Sequence, residues 1–472
     1  MTDSISIVDE TNDTSLHIDS EDKKFERKLL RKIDLRLLAI TNIMYILACL
    51  DRINIGNARI AGLEKDLGLI GNQYQIALSI YFLGGVLFEI PSNMVLKKIK
   101  PSRWIPFLMM SWSIIVSSMA AVRNSDELIA TRFLLGVAEA GFVPGILLLL
   151  SLWYKRSEYG MRFTIFISGN VLAGAFGGLL AYVIIGNLNG KANLQGWRWL
   201  FLLEGIVSFI VSLISFLIIP GFPEDENFLT IRERQLLMSR LHPEHGTAGE
   251  HIRTVTIKHA LLITLKDWRV YLMVLHNICI NTALNSISLY LPTLIYKMGF
   301  SSLKTQLLTL PPYFFGWLFS LVVSLHSDHV QLRGHHIICC AIIGAIGFLM
   351  LANLKSVGML YSATFFCTSG TWAAGAMTLA WIPNIFHHPR EKRAIAIALI
   401  LSAGIVAGII SSNIYPSSEE PRYFRGHMIN ASFMLIATIC AIIMRLVLKR
   451  KNEKMRQVED EKESTHKIPY IL

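Results

Sequence analysis

Residues 127–152 read Glu-Leu-Ile-Ala-Thr-Arg132-Phe-Leu-Leu-Gly136-Val-Ala-Glu139-Ala-Gly-Phe-Val-Pro144-Gly-Ile-Leu-Leu-Leu-Leu-Ser-Leu152. About twenty mainly apolar residues suffice for a helix to cross a ~30 Å hydrocarbon core. This run is long enough, yet it carries an arginine and a glutamate in its interior. Comparable runs recur at roughly 35–56, 73–96, 104–122, 162–187 and 198–219. After a hydrophilic stretch they resume at 269–297, 306–327, 336–353, 357–382, 393–415 and 427–448. The expected fold is therefore an all-α membrane protein of about twelve transmembrane helices in two six-helix bundles. Its parts are an N-terminal tail (1–34), a first bundle (35–219), a linker (220–268), a second bundle (269–448) and a C-terminal tail (449–472). Only 17% of the 472 residues are charged and 53% are hydrophobic, against about a quarter charged in soluble domains. A large soluble helical bundle is excluded on both counts.

The net charge of +11 does not mark a nucleic-acid binder, because the cations gather in alternate loops. Lys23, Lys24, Arg27, Lys28, Arg31 and Lys32 precede the first run, and Lys97, Lys98, Lys100 and Arg103 follow the second. Lys155, Arg156 and Arg162 follow the fourth, Arg390, Lys392 and Arg393 the tenth, and Lys449 to Arg456 close the chain. By the positive-inside bias, these loops and both termini are expected to be cytoplasmic. The start of the chain lacks the apolar stretch of a signal peptide. The six cysteines lie in or beside apolar runs without metal-ligand spacing, and read as packing residues. In the linker, Thr230 to Arg240 has the spacing of a short amphipathic helix, and its histidines (His242, His245, His251, His259) read as solvated. A basic loop feeding a glycine-spaced run occurs in each half, with Gly169, Gly174, Gly177 and Gly178 in one and Gly404 and Gly408 in the other. That echo is what an internal repeat leaves, and small residues four apart let helices approach closely.

Charges within a span cost several kcal/mol at the bilayer centre unless paired or hydrated. Arg132 and Glu139 are seven residues apart, so they share one helix face about 10 Å apart along the axis. Counting helical rise places Arg132 about 9 Å and Glu139 about 20 Å in from the outer end. The same count puts Asp51 and Arg52 about 24 Å along the first span, near the depth of Arg132. Two acids and two cations can thus meet inside the first bundle. Arginine offers a carboxylate a planar bidentate fork and stays protonated. A neighbouring carboxylate, pulled one way by burial and the other by the arginine, can take up and release a proton. An anion competing for the arginine frees the acid to protonate, which is a physical basis for symport. The competing reading is a set of structural ion pairs locking helices together. Tyr81, Asn170, Asn277, Asn281, Asn285, Tyr290, Trp372, Asn384 and Asn413 are further polar candidates for a cavity wall. Glu89 is expected to pair with loop cations, and Glu204 to be structural.

Asp51-Arg-Ile-Asn-Ile-Gly-Asn-Ala58, Arg132-Phe-Leu-Leu-Gly-Val-Ala-Glu-Ala-Gly-Phe-Val-Pro144 and Gly196-Trp-Arg-Trp-Leu-Phe-Leu-Leu-Glu-Gly205 resemble signatures of the major facilitator superfamily. Within it, they resemble the fungal anion:cation symporters of the allantoate permease type. Asn384, the Lys392-Arg393-Ala394 run and Pro421-Arg-Tyr423 with Gly426 belong to the same resemblance, which covers roughly 34–448. One departure is the loop after the second span. The superfamily's Gly-x-x-x-Asp-Arg pattern is replaced there by Glu89-Ile-Pro-Ser-Asn93 with Lys97 and Lys98. The resemblance implies proton coupling through Glu139 and Asp51, and substrate binding through Arg132, Arg52, Tyr81 and Asn170. It implies a small organic anion, such as a vitamin or ureido acid, as cargo and the proton gradient as energy source. No cofactor, metal, nucleic acid or enzymatic step is expected. The chain is expected to act as a monomer in a lipid bilayer, in the plasma membrane before the endoplasmic reticulum or vacuole. A nutrient sensor on the same fold and a proton-antiport exporter are the alternatives.

Overall fold

The computed structural model describes residues 24–224, 226, 228–245, 257–386 and 390–462. The first 23 residues of the tail, linker residues 246–256 with His251, and the last ten residues lie outside them. Among the described residues there are twelve long helices. In chain order these are α1 (Lys24–Asp66), α2 (Gln73–Lys98), α3 (Pro101–Met119), α4 (Ser125–Trp153), α5 (Arg156–Leu188) and α6 (Gly196–Ile218). The second set is α7 (Trp268–Lys297), α8 (Ser302–Val330), α9 (Arg333–Asn353), α10 (Val357–Ile385), α11 (Arg390–Ser412) and α12 (Phe424–Lys462). Ten helices contain a segment long and apolar enough to span a membrane; α3 and α10 do not. α3 carries Trp and Ser, and α10 carries Thr, Gly and Trp, so their mean hydropathy is lower. Both are nonetheless packed into the same bundles.

The starts of several helices are chemically marked. Pro101 opens α3 at its first turn, where its missing N–H costs nothing. Asn124 Oδ1 accepts from Glu127 N at 2.9 Å ahead of α4, and Asp267 Oδ1 accepts from Arg269 N at 3.0 Å ahead of α7, each satisfying an orphan amide. α1 begins at Lys24, well before the expected boundary at 35, and includes two wide turns, Asp34–Leu38 and Arg59–Leu63. In the second, Gly62 sits at φ +102°, a conformation that favours glycine. α4 is interrupted at Ala140–Gly141, directly after Glu139. Pro144 is the reason: it has no N–H for the Ala140 carbonyl, and its ring crowds that oxygen.

The packing of the two halves repeats with a shift of six helices. α1 packs on α5 and α6 as α7 does on α11 and α12; α2 meets α4 as α8 meets α10; α3 meets α6 as α9 meets α12. Across the halves, α5 packs on α8 and α2 on α11, so the pseudo-twofold relation extends to the interface. Close backbone approach is set by small residues. A Cβ on Gly136 would lie 1.9 Å from the Tyr81 carbonyl oxygen, and one on Gly178 would lie 2.2 Å from Thr309 Oγ1.

The linker holds a helix at Ile231–His245 and another at Ile257–Leu265. The first is tied to the end of the molecule where α1 begins. Lys32 Nζ lies 2.7 Å from Glu233 Oε2, and Arg240 Nε lies 2.6 Å from Glu26 Oε1 while also pairing with Glu158. Trp153 Nε1 donates to the Gly221 carbonyl at 3.0 Å. Glu233 is held below the usual carboxylate range: burial pushes it up, but hydrogen bonds from Lys32 and the Thr230 amide outweigh that. This end, which also carries the basic loops, is called the basic end below.

Candidate functional site

A cavity of about 320 Å³ lies between the halves. From α1 it is lined by Tyr45, Ala48, Cys49 and Arg52, one stripe at helical spacing. From α4 it is lined by Gly136, Glu139 and Ala140 before the interruption and by Phe142, Val143, Pro144 and Leu147 after it. α2 adds Tyr81, Phe82, Gly85 and Glu89, and α5 adds Ile167, Asn170 and Val171. Four of the six expected site residues therefore meet on one wall. Arg52 Nη2 donates to Asn170 Oδ1 at 3.4 Å, and the Tyr81 hydroxyl donates to Glu139 Oε2 at 2.6 Å. Glu89, expected among the loop cations, is part of this wall instead.

Asp51 and Arg132 are not on the wall. Asp51 is fully buried against α6, where Ser208 Oγ donates to its Oδ2 at 3.3 Å. Arg52, its neighbour in sequence, faces the cavity, and the helical step of about 100° between them turns Asp51 toward α6 instead. Arg132 lies one turn before Gly136 on α4 and is not among the residues lining the cavity. Its guanidinium sits 4.9 Å over the Tyr81 ring, fully buried, with no hydrogen-bond partner among the described residues. Asp51, Arg52, Arg132 and Glu139 form no ion pair within 4.0 Å with one another or with any other described residue. Glu204, expected to be structural, is buried on α6 and accepts a hydrogen bond from Asn54.

The second half supplies Asn277, Asn281, Asn285, Trp317, Ser320, Ser324, Trp372 and Gly404 to the wall. Trp317 escaped the sequence reading, because an aromatic residue in an apolar span has no signal that separates cavity from core. Tyr290, Asn384 and Asn413 are not wall residues: they donate to Ser412 O, Ala380 O and Ser79 Oγ respectively.

The end opposite the basic one is sealed by contacts between halves. Arg59 Nε lies 2.7 Å from Glu64 Oε1, and Arg59 Nη2 lies 3.3 Å from Glu420 Oε1, which also accepts from the Tyr423 hydroxyl at 2.9 Å. Lys297 pairs with the other Glu420 oxygen. Among these contacts a chain of rings runs Tyr74–Tyr290–Tyr415–Tyr423 with centroids 6.4, 5.0 and 5.5 Å apart. Gln75 donates to Tyr415 O, Gln306 to Asn57 O and Ser302 to Ile60 O. At the basic end the named pairs stay within one half: Arg162 with Asp34 at 2.6 Å, Lys392 with Asp267 at 2.6 Å, Arg333 with Asp328 at 2.9 Å. The cavity, extending past Glu89, Leu147 and Ser324, leads toward that end.

Two six-helix repeats enclosing a cavity between them have the architecture of a multi-pass membrane transporter. The model of the Major Facilitator Superfamily matches residues 41–412, and the chain belongs to that superfamily. It is similar to the MFS transporter prlL of a fungal species, 36% identical over 440 residues, which cover 91% of this chain and 88% of that protein. An uncharacterized transporter of Schizosaccharomyces pombe is 34% identical over 91% of this chain and 85% of its own length. The high-affinity nicotinic acid transporter of Saccharomyces cerevisiae is 28% identical over 98% and 90%. Among solved structures, a bacterial homologue of the lysosomal transporter Spinster superposes with a TM-score of 0.69 at 14% identity, covering 86% of this chain and 96% of that one. A D-xylose–proton symporter gives 0.68 at 15% identity, covering 87% and 97%.

Proposed function

We propose that the protein carries a small organic anion, a monocarboxylate, across the membrane together with protons, as a member of the allantoate permease type of anion:cation symporters. The observation that carries this reading is that Arg52 and Glu139 line one cavity without pairing with each other. A fixed cation with no acid within ion-pair distance among the described residues keeps its fork free to take a carboxylate bidentately. Glu139, held by the Tyr81 hydroxyl, is the nearby group able to exchange a proton with the cavity. Arg52 thereby takes the anchoring role, with Asn170 orienting its guanidinium. Arg132 acts from behind, through the ring of Tyr81. The separation of the charges argues against the structural reading, in which they would be joined to each other. The nicotinic acid transporter among the relatives is named for a monocarboxylic acid, which fits. With the basic end in the cytoplasm, as the loop cations require, the cavity faces inward and the sealed end outward.

The test is Glu139→Gln in sealed vesicles, comparing pH-driven accumulation with exchange of a carboxylate found by uptake screening. The amide imitates the protonated acid at nearly constant size. Exchange should persist, while concentrative uptake and its stimulation by acid are lost. A variant that still concentrates substrate with an unchanged pH profile would remove Glu139 from coupling. Exchange and accumulation both absent for every carboxylate would instead point to the sensor alternative.

A further inference from the structure

Beside the outer seal lies a second, smaller cavity of about 150 Å³, separate from the one between the halves. The ends of α7 and α9, the loop into α10 and the stretch before α12 meet there, so all of its walls belong to the second half. Three cations line it, Lys297, Lys355 and Arg422, and no acid does. Lys297 is shared with the seal, where it pairs with Glu420. Lys355 and Arg422 have no hydrogen bond or ion pair among the described residues. The wall also includes His427, which is buried. Asn430 Nδ2 donates to the Tyr415 hydroxyl at 3.0 Å, and that hydroxyl lies 3.0 Å from His427 Nδ1. With its oxygen accepting from the amide, the hydroxyl gives its proton to Nδ1. A neutral His427 ring then carries its own hydrogen on Nε2, and this donor has no partner among the described residues. Cations gathered without an acid repel one another, and an anion placed between them relieves that repulsion.

We propose that this pocket binds a small oxyanion from the outer solution, and that the bound anion loosens the outer seal through Lys297. The chemistry recognised is that shared by phosphate and simple carboxylates. Arg422 supplies a planar fork that matches two oxygens, Lys355 adds charge, and His427 adds a neutral donor. An ammonium has three donors, so Lys297 can turn to the anion from its place beside Glu420. A second negative charge divides the attraction of Lys297 and repels the Glu420 carboxylate. The seal then keeps the contact of Arg59 with Glu420 and loses most of what Lys297 contributes. The site serves as an external anion sensor on the gate, whatever the central cavity carries.

The full-length protein is tested in intact cells, with the exposed Cys339 replaced and Asn353→Cys placed on the pocket wall, where Asn353 is exposed. Labelling by an impermeant thiol reagent is followed at constant pH and ionic strength in millimolar phosphate, acetate or chloride. Screening is then equal in all three solutions. Phosphate, acetate or both should slow labelling several fold more than chloride does. Arg422→Gln and Lys355→Gln should each remove most of that protection. In the protecting solution, labelling of Ser412→Cys, buried beside the seal, should rise by up to about fivefold, the share of one partly exposed pair. It should not rise further where Glu420→Gln has already removed the pair. No protection by either oxyanion, equal protection by chloride, or protection that survives both substitutions overturns the site. Protection of Asn353→Cys with unchanged labelling of Ser412→Cys keeps the site and overturns its link to the seal.

Discussion

Glu420 is the joint of the outer seal, and its replacement by glutamine isolates the seal's electrostatic part. The glutamine still accepts from the Tyr423 hydroxyl but loses its charge toward Arg59 and Lys297. Glu420 and Lys297 side chains are each just over a quarter exposed, whereas Arg59 is 4% exposed. Pairs of this exposure each contribute up to about 1 kcal/mol. The two together contribute ~1–2 kcal/mol to the sealed state, a five- to thirty-fold shift in its equilibrium with an outward-open one. Arg59 stays paired with Glu64 at 2.7 Å, so no buried charge is orphaned. The assay is the rate at which an impermeant thiol reagent labels Ser412→Cys in intact cells, with the exposed Cys339 replaced. Ser412 is fully buried beside the seal, so labelling requires opening, and Glu420→Gln should raise the rate by that factor. The sign of the pH effect follows from the carboxyl itself. Burial pushes the Glu420 pKa up, but the Lys297 and Tyr423 hydrogen bonds and the charges of Lys297 and Arg59 outweigh it, leaving the pKa below the usual glutamate value. The latch is then complete above the ordinary value of about 4.3 and is lost as external pH falls through the lower, latched value. On acidification the wild type should converge on the mutant. Equal labelling at neutral pH would refute the latch.

Arg52→Lys keeps the charge but loses the bidentate fork, so apparent affinity for a transported carboxylate should fall by about 1–3 kcal/mol equivalent. Arg132→Lys should move KM less, and the reverse order in uptake assays would return the anchor to α4. Gly136→Ala forces a methyl group 1.9 Å from the Tyr81 carbonyl; separating α2 from α4 should cost about 1–3 kcal/mol. That cost should appear as a lower Tm of the purified protein, while Gly358→Ala, with nothing within 4 Å, should leave Tm unchanged. Tags at both termini and in the 220–268 linker should resist protease added to intact cells; cleavage of the linker tag would place the basic end outside the cell.

Why the fold was readable and the site only partly so comes down to what one dimension records. Blocks of apolar residues of the right length survive any arrangement of neighbours, so all twelve runs are legible, although α3 and α10 are less apolar than the other ten. Rotation about a helix axis is also partly recorded: Tyr45, Ala48, Cys49 and Arg52 form a stripe in sequence, and Asp51 is visibly off it. Reading Asp51 and Arg52 as a pair at one depth ignored that 100° step. Depth relative to a seal is not recorded at all. Arg132 lies on the right face of α4, but whether the cavity reaches it depends on Tyr74, Tyr81, Tyr290 and Tyr415, contributed by α2, α7 and the segment after α11. Those four residues are far apart in the chain and come together only through the pseudo-twofold packing of the halves. The same packing explains why Arg132 is informative where it stands. Its guanidinium stacks on the ring whose hydroxyl holds Glu139. Tyr74, the first ring of the chain at the sealed end, is on the same helix as Tyr81. A movement of Tyr81 as the seal opens would change both contacts together. Arg132 therefore sits where the state of the outer seal and the hydrogen bond to Glu139 can be linked without Arg132 touching the substrate.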